Sequence, residues 1–167
     1  MLSILSEDLI FITDKNFTKK KILEKMTDIL YNSKRIIDRE KFYKILMERE
    51  KIQTTGIGEE VAIPHVISDD VKNFSLVICV SKKGINFNSF DKKPVRLIFL
   101  IAAPSEFTKL YLQVVAKISR IMKINRLRER LLKANDPKDV LEVFEEFDKI
   151  FPKSLKLKKE NKKVSAK

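Results

Sequence analysis

The sequence predicts an α/β domain in which a sheet is covered by helices on both faces. Three observations carry that expectation. Phe74 to Ser81 (FSLVICVS) and Val95 to Ala102 (VRLIFLIA) are short, nearly continuous apolar runs rich in β-branched residues. Such runs mark central strands buried on both faces. Elsewhere, apolar residues recur at helical spacing, and these segments intermix with the strand-like ones along the chain.

The elements follow in order. Leu9 to Ile12 is a short apolar run that reads as a strand. From Thr18 to Asn32, Ile22, Met26, Ile29 and Leu30 share one helical face. From Asp38 to about Glu50, Phe42, Ile45 and Leu46 do the same, and Asp38 can cap the first turn. Gln53-Thr-Thr-Gly-Ile-Gly58 is a loop bearing hydroxyls and glycines, and Val61 to Ile63 is β-prone until Pro64 stops it. Gly84 and Asp91-Lys-Lys-Pro94 punctuate the connection between the two apolar strands. After Pro104, Ser105 is placed to cap a helix carrying Phe107, Leu110, Val114, Ile118 and Ile121. A shorter helix follows Asn125, with Leu127, Leu131 and Leu132 inward. Asp136-Pro137, a capping residue before proline at the first helical position, opens a last helix that Pro152 ends.

Composition bounds the function. The 167 residues suit one domain with its own core. One cysteine cannot form an internal disulfide, and it cannot complete a structural zinc site with one histidine. Cys79 lies inside a predicted strand and reads as a small buried hydrophobe. The N-terminus meets Glu7 and Asp8 early and has no long apolar stretch, unlike a signal peptide. No apolar run approaches the ~20 residues of a membrane span. The chain reads as cytoplasmic.

The formal net charge of +12 points to an acidic partner until it is located. Residues 152–167 hold seven lysines and one glutamate, half of the total, with little to bury. They read as a disordered basic tail after a domain spanning residues 1–151. Lys117 to Lys133 carries an equal excess and reads as a solvated helix face. Neither stretch has the interleaved aromatics or motif of a nucleic-acid binder.

The sharper feature is His65, the single histidine. Pro64 fixes its own φ and keeps Ile63 extended, so the chain that presents His65 is stiff. Thr54, Thr55, Gly56 and Gly58 precede it closely, offering hydroxyl and backbone N–H donors to an anion. Arg49, at the end of the preceding helix, is near enough in sequence to reach the same pocket. A nucleophilic imidazole among such donors suits phosphohistidine chemistry. Neutral imidazole attacks phosphorus, and the donors hold the equatorial oxygens. No serine or cysteine has a nucleophile motif for acyl transfer.

These residues carry a resemblance. Met47-Glu-Arg-Glu50, Thr54-Thr-Gly-Ile-Gly58 and Val61-Ala-Ile-Pro-His65 resemble the active-site segment of the enzyme IIA domain of the bacterial phosphotransferase system, of the fructose/mannitol and nitrogen-regulatory class. Gly84-Ile-Asn-Phe87, Asp91 and Pro94 to Pro104 agree, and the match runs in order to about residue 151. The resemblance implies a mixed sheet flanked by helices and a phosphoryl acceptor at His65. It implies HPr as donor and, as recipient, a IIB domain or a regulatory target protein. Arg49 is carried over as a phosphate-binding or orienting residue, and no metal or organic cofactor is implied. The chain carries no fused IIB, IIC or HPr-like segment, so it reads as a stand-alone IIA.

One departure stands out. The family's second histidine, in the pattern His-Leu-x-x-Leu-Ala, aligns with Tyr111-Leu-Gln-Val-Val-Ala116. A phenol can donate one hydrogen bond but does not titrate near neutral pH. Tyr111 is read either as a partner of His65 or as an ordinary half-buried aromatic. A second reading of the whole chain makes it a non-catalytic binding module that meets an acidic partner through the basic helix and tail.

Overall fold

The computed structural model describes residues 4–152. Among these the order is β1 (Ile10–Thr13), α1 (Lys19–Asn32), α2 (Arg39–Ile52), β2 (Gly56–Gly58), β3 (Val61–Ala62) and β4 (His65–Ile67). Then come β5 (Ser75–Ile85), β6 (Val95–Ala103), α3 (Thr108–Lys123), α4 (Asn125–Lys133) and α5 (Pro137–Ile150). The strands form one sheet in the order β1-β5-β6-β3-β2, with β4 also paired to β6. The β5–β6 and β2–β3 pairs are antiparallel. The β1–β5, β3–β6 and β4–β6 pairs are parallel, so the sheet is mixed.

Alternation along β5 and β6 builds two cores. Leu76, Ile78 and Val80 with Leu97, Phe99 and Ile101 face α3, α4 and α5. Val77 and Cys79 with Ile98, Leu100 and Ala102 face α1 and α2. Both sets are fully buried, which is why both strands read as unbroken apolar runs. Cys79 sits in the second core, where burial pushes its thiol up to about 12.

Local chemistry sets the helix starts. The Thr18 hydroxyl accepts from Lys21 N–H, and the Asp38 carboxylate accepts from Lys41 N–H. Asp136 and Asp139 make a reciprocal capping box with Pro137 in the first turn. Two expectations need correction. Ser105 does not cap α3: Ser105–Phe107 forms a 3₁₀ turn, and the Ser105 carbonyl accepts from the Thr108 hydroxyl. The helix therefore begins at Thr108, two residues later than a Ser105 cap would place it. Gly84 does not end β5, which runs on to Ile85 through a register shift between Val80 and Ile85. There Gly84 takes φ +78, and a Cβ on it would lie 2.8 Å from Pro94 Cβ, so the glycine lets the strand bend without stopping.

The turn between β2 and β3 is Glu59-Glu60, with φ of 53° and 66°. Two left-handed residues are what a two-residue hairpin needs, and Asn-Gly usually supplies them. Holding glutamates there costs roughly 1 kcal/mol each. The Glu60 carbonyl offsets this by accepting from Arg96 and Leu97 N–H at 2.8 and 3.0 Å.

The basic stretch from Lys117 to Lys133 is not a uniformly solvated face. Lys117 is buried and pairs with Asp148 at 3.0 Å. Arg126 and Arg130 both reach Glu146, and Arg128 reaches Glu60 at 3.0 Å. Residues 153–167, which hold the basic tail, lie outside the described residues. No helix among the described residues is long and apolar enough to cross a membrane.

Candidate functional site

His65 opens β4, opposite Ile101 near the carboxyl end of β6. The segment leading to it is pinned on both sides. Ile63 N–H donates to the Thr55 carbonyl at 3.0 Å, and the Pro64 carbonyl accepts from Ile101 N–H at 3.0 Å. The ring is oriented from within the same segment, since Nδ1 lies 3.1 Å from the Ile63 carbonyl. That oxygen can only accept, so Nδ1 carries the proton and Nε2 presents a lone pair.

Arg49, in the last turn of α2, donates through Nε to His65 Nε2 at 3.4 Å. Its Nη1 donates to the Gln53 carbonyl at 3.0 Å, which anchors the guanidinium to the end of its own helix. Tyr111, in the first turn of α3, packs against the imidazole, its ring centroid 5.0 Å from that of His65 and tilted by 40°. The structure thus brings together Arg49, His65 and Tyr111 from three separate elements.

The electrostatics favour a neutral imidazole. Burial holds His65 below its ordinary value, the Ile63 carbonyl opposes that, and the Arg49 charge adds to the lowering. Tyr111 is held above the usual phenol value, chiefly by burial, with Arg49 opposing. It remains a protonated donor.

Beneath this group lies a buried ionic knot. The Glu50 carboxylate accepts from Thr55 N–H and from the Thr55 hydroxyl, each at 2.7 Å. Lys19 reaches across from α1 to the same carboxylate at 2.7 Å. Lys19 Nζ also donates to the Phe87 carbonyl at 3.1 Å and lies 4.6 Å from the centre of the Phe87 ring. The Thr54 hydroxyl donates to the same carbonyl at 3.0 Å while accepting from Gly56 N–H at 3.1 Å and Lys19 Nζ at 3.4 Å. Both threonine hydroxyls are therefore bonded to the scaffold. Gly56 is required by packing: a Cβ on it would lie 2.9 Å from Ser89 Cα. Gly58 ends β2 against Asp91, whose carboxylate accepts from Glu59 N–H at 2.9 Å. Among the described residues no cluster of three or more His, Cys, Asp or Glu is placed to hold a metal.

Residues 3–147 match the family model described as phosphoenolpyruvate-dependent sugar phosphotransferase system, EIIA 2. The chain belongs to this family. A fructose-specific EIIA component of the phosphotransferase system from Haloferax volcanii is 32% identical over 139 residues, covering 83% of this chain and 90% of that one. A nitrogen regulatory protein from Pseudomonas aeruginosa is 26% identical, covering 70% of this chain and 76% of the relative. The crystal structure of the nitrogen regulatory protein IIA-Ntr from Neisseria meningitidis superposes with a TM-score of 0.77 at 27% identity, covering 84% and 96% of the two chains. IIA mannitol from Escherichia coli gives 0.72 at 25% identity, covering 83% and 97%. The mixed sheet between helical layers is thus an EIIA fold.

Some of this candidate site was not legible in the sequence. Glu50 stands in the Met47-Glu-Arg-Glu50 motif, yet nothing in that motif marks it as a side chain only 2% exposed. Lys19 gave no signal, because it opens a helix far away along the chain and meets Glu50 only when α1 packs on α2. The Ile63 carbonyl that orients His65 is a backbone group, which no residue type reports.

Proposed function

We propose that His65 is the phosphoryl acceptor of a phosphocarrier, loaded from phosphorylated HPr. Family membership supports the phosphotransferase role, and one observation carries the residue assignment. Nδ1 is committed to the Ile63 carbonyl, so the free lone pair sits on Nε2, facing Arg49. In the reaction Nε2 attacks phosphorus, the P–N bond to the donor imidazole breaks, and a P–Nε2 bond forms. Arg49 shifts from the lone pair to the incoming phosphoryl oxygens, where a guanidinium is a strong charged donor. Tyr111, in the place of the family's second histidine, donates its phenolic proton to a phosphoryl oxygen. It has no imidazolium to offer, so onward transfer is slower than in two-histidine members. Thr54, Thr55, Gly56 and Gly58 shape the phosphate-binding loop. The Thr55 and Gly56 N–H bonds and the Lys19–Glu50 pair fix its position.

The phosphoryl group then passes to a IIB partner or serves as a signal read by a target protein, as the relatives named fructose-specific and nitrogen-regulatory suggest. The binding-module reading draws less support. The pairing of Lys117, Arg126, Arg128 and Arg130 removes much of the charge that a basic helix would offer an acidic partner.

The test is incubation with enzyme I, HPr and phosphoenolpyruvate. The expected product is an acid-labile gain of one phosphate, absent in His65→Ala. No gain by a folded chain with active HPr would refute the proposal. Adding a IIB domain then separates the two outputs.

A further inference from the structure

We propose a second site, distinct from His65, that binds a small organic phosphate. It is a cavity of about 770 Å³ between the β2–β3 turn, the start of β6 and the junction of α3 with α4. Arg96, at its wall, lies five positions before the partner of His65 along β6, roughly 16 Å at strand spacing. The cavity and the histidine pocket therefore sit toward opposite ends of the same strand.

Three independent features give the cavity its chemistry. The first is charge. Lys83, Lys93, Arg96, Lys123 and Arg128 line it against only Glu59 and Glu60. Lys83, Lys93 and Lys123 are exposed at its margin, while the two arginines are partly buried. The second is unused donors. The arginine tips are tied down: Arg128 Nη2 donates to Glu60 at 3.0 Å and to the Glu59 carbonyl at 2.6 Å. Arg96 Nη2 donates to the Leu132 carbonyl at 3.4 Å, and its Nη1 lies 3.7 Å from Glu60. Among the described residues, the buried Nε–H of each arginine nonetheless has no acceptor. Buried donors of this kind are normally satisfied. The third is the start of α4 at Asn125, also on the wall, where Ile124 occupies the capping position and supplies no side-chain acceptor. The Ile124 carbonyl accepts from Leu127 and Arg128 N–H, and a helix start capped by backbone alone favours an anion.

Glu59 and Glu60 offset two of the five charges, and an excess of three cations remains to meet a dianion. Guanidinium and ammonium groups together select phosphate. The volume selects an organic phosphate over the bare ion, since it falls in the ~300–1,000 Å³ range of small-molecule sites. Met122 supplies an apolar wall for the carbon skeleton. None of this rests on phosphorylation of His65.

The test uses the full chain, with inorganic phosphate, glucose 6-phosphate and ATP as probes. Isothermal titration and amide NMR shifts are read at about 20 and about 200 mM salt. At least one organic phosphate should bind saturably, at least about tenfold tighter than inorganic phosphate. Shifts should centre on Glu60, Arg96, Asn125 and Arg128. His65→Ala should bind equally well. Arg128→Gln should abolish binding. The double substitution Lys93→Gln/Lys123→Gln touches only exposed side chains, so it should keep the fold and weaken binding about tenfold. Absence of saturation, equal affinity for inorganic phosphate, or loss of binding in His65→Ala would each overturn the proposal.

Discussion

Removing the Glu50 carboxylate is the most severe single perturbation this site offers short of touching His65. Its side chain is 2% exposed and receives three donors: Thr55 N–H, the Thr55 hydroxyl and Lys19 Nζ. In Glu50→Ala the Lys19 ammonium, 21% exposed, loses its only carboxylate among these contacts but keeps the Phe87 carbonyl and the Thr54 oxygen. Two Thr55 donors are left in a buried site. Breaking a buried pair from one side costs about 3–5 kcal/mol, and each orphaned donor about 1–3. The oxygens retained by Lys19 and the collapse of the small space hold the total to about 3–5 kcal/mol. For a domain of this size that lowers Tm by roughly 6–20 °C. Urea unfolding followed by circular dichroism measures it, with Lys19→Met, Glu50→Gln and their combination closing a double-mutant cycle. The coupling should exceed about 1 kcal/mol, because the groups touch. Amide exchange should speed up in the last turn of α2 and in residues 54–56, which the knot ties together. A Glu50→Ala variant within about 1 kcal/mol of the parent would refute the reasoning, since a carboxylate with three real donors cannot be removed that cheaply.

Four further outcomes follow from the site. In Arg49→Gln the imidazole loses a neighbouring charge, so its NMR titration should move up toward the ordinary histidine value, while phosphoryl acceptance falls about 10²–10³-fold. In the parent, His65 titrates below 6.5, chiefly through burial. Acceptance at Nε2 should therefore stay flat from neutral pH down past 6.5 and fall only at lower pH; half-loss at or above 6.5 would contradict this. Tyr111→His should speed onward transfer to a IIB acceptor, and no gain in rate would count against the role given to Tyr111. Cys79, fully buried with its thiol pushed up to about 12, should resist thiol reagents in the folded chain and react at once in denaturant.

Particular residues show where the sequence was legible. Val77 and Cys79 face one core and Leu76 and Ile78 the other, so β5 announced itself as an unbroken apolar run. Asp136-Pro137 marked the start of α5, because capping is local chemistry between neighbours. Ser105 misled, since a 3₁₀ turn takes up the residues it was placed to cap. Gly84 misled too, because a glycine that stops a strand and one that bends it look alike until Pro94 is seen beside it.

The sequence by itself determined the alternation of buried strands and amphipathic helices and the motif pattern around His65. Periodicity, caps and motif spacing are all written within short stretches of chain. Only the tertiary structure decided which nitrogen of His65 is free, since that depends on the Ile63 carbonyl. Only it joined Lys19 to Glu50 and Arg128 to Glu60, and gathered five cations around one cavity. These pairings link residues far apart in the chain, and their energies exist only after the helices have packed onto the sheet.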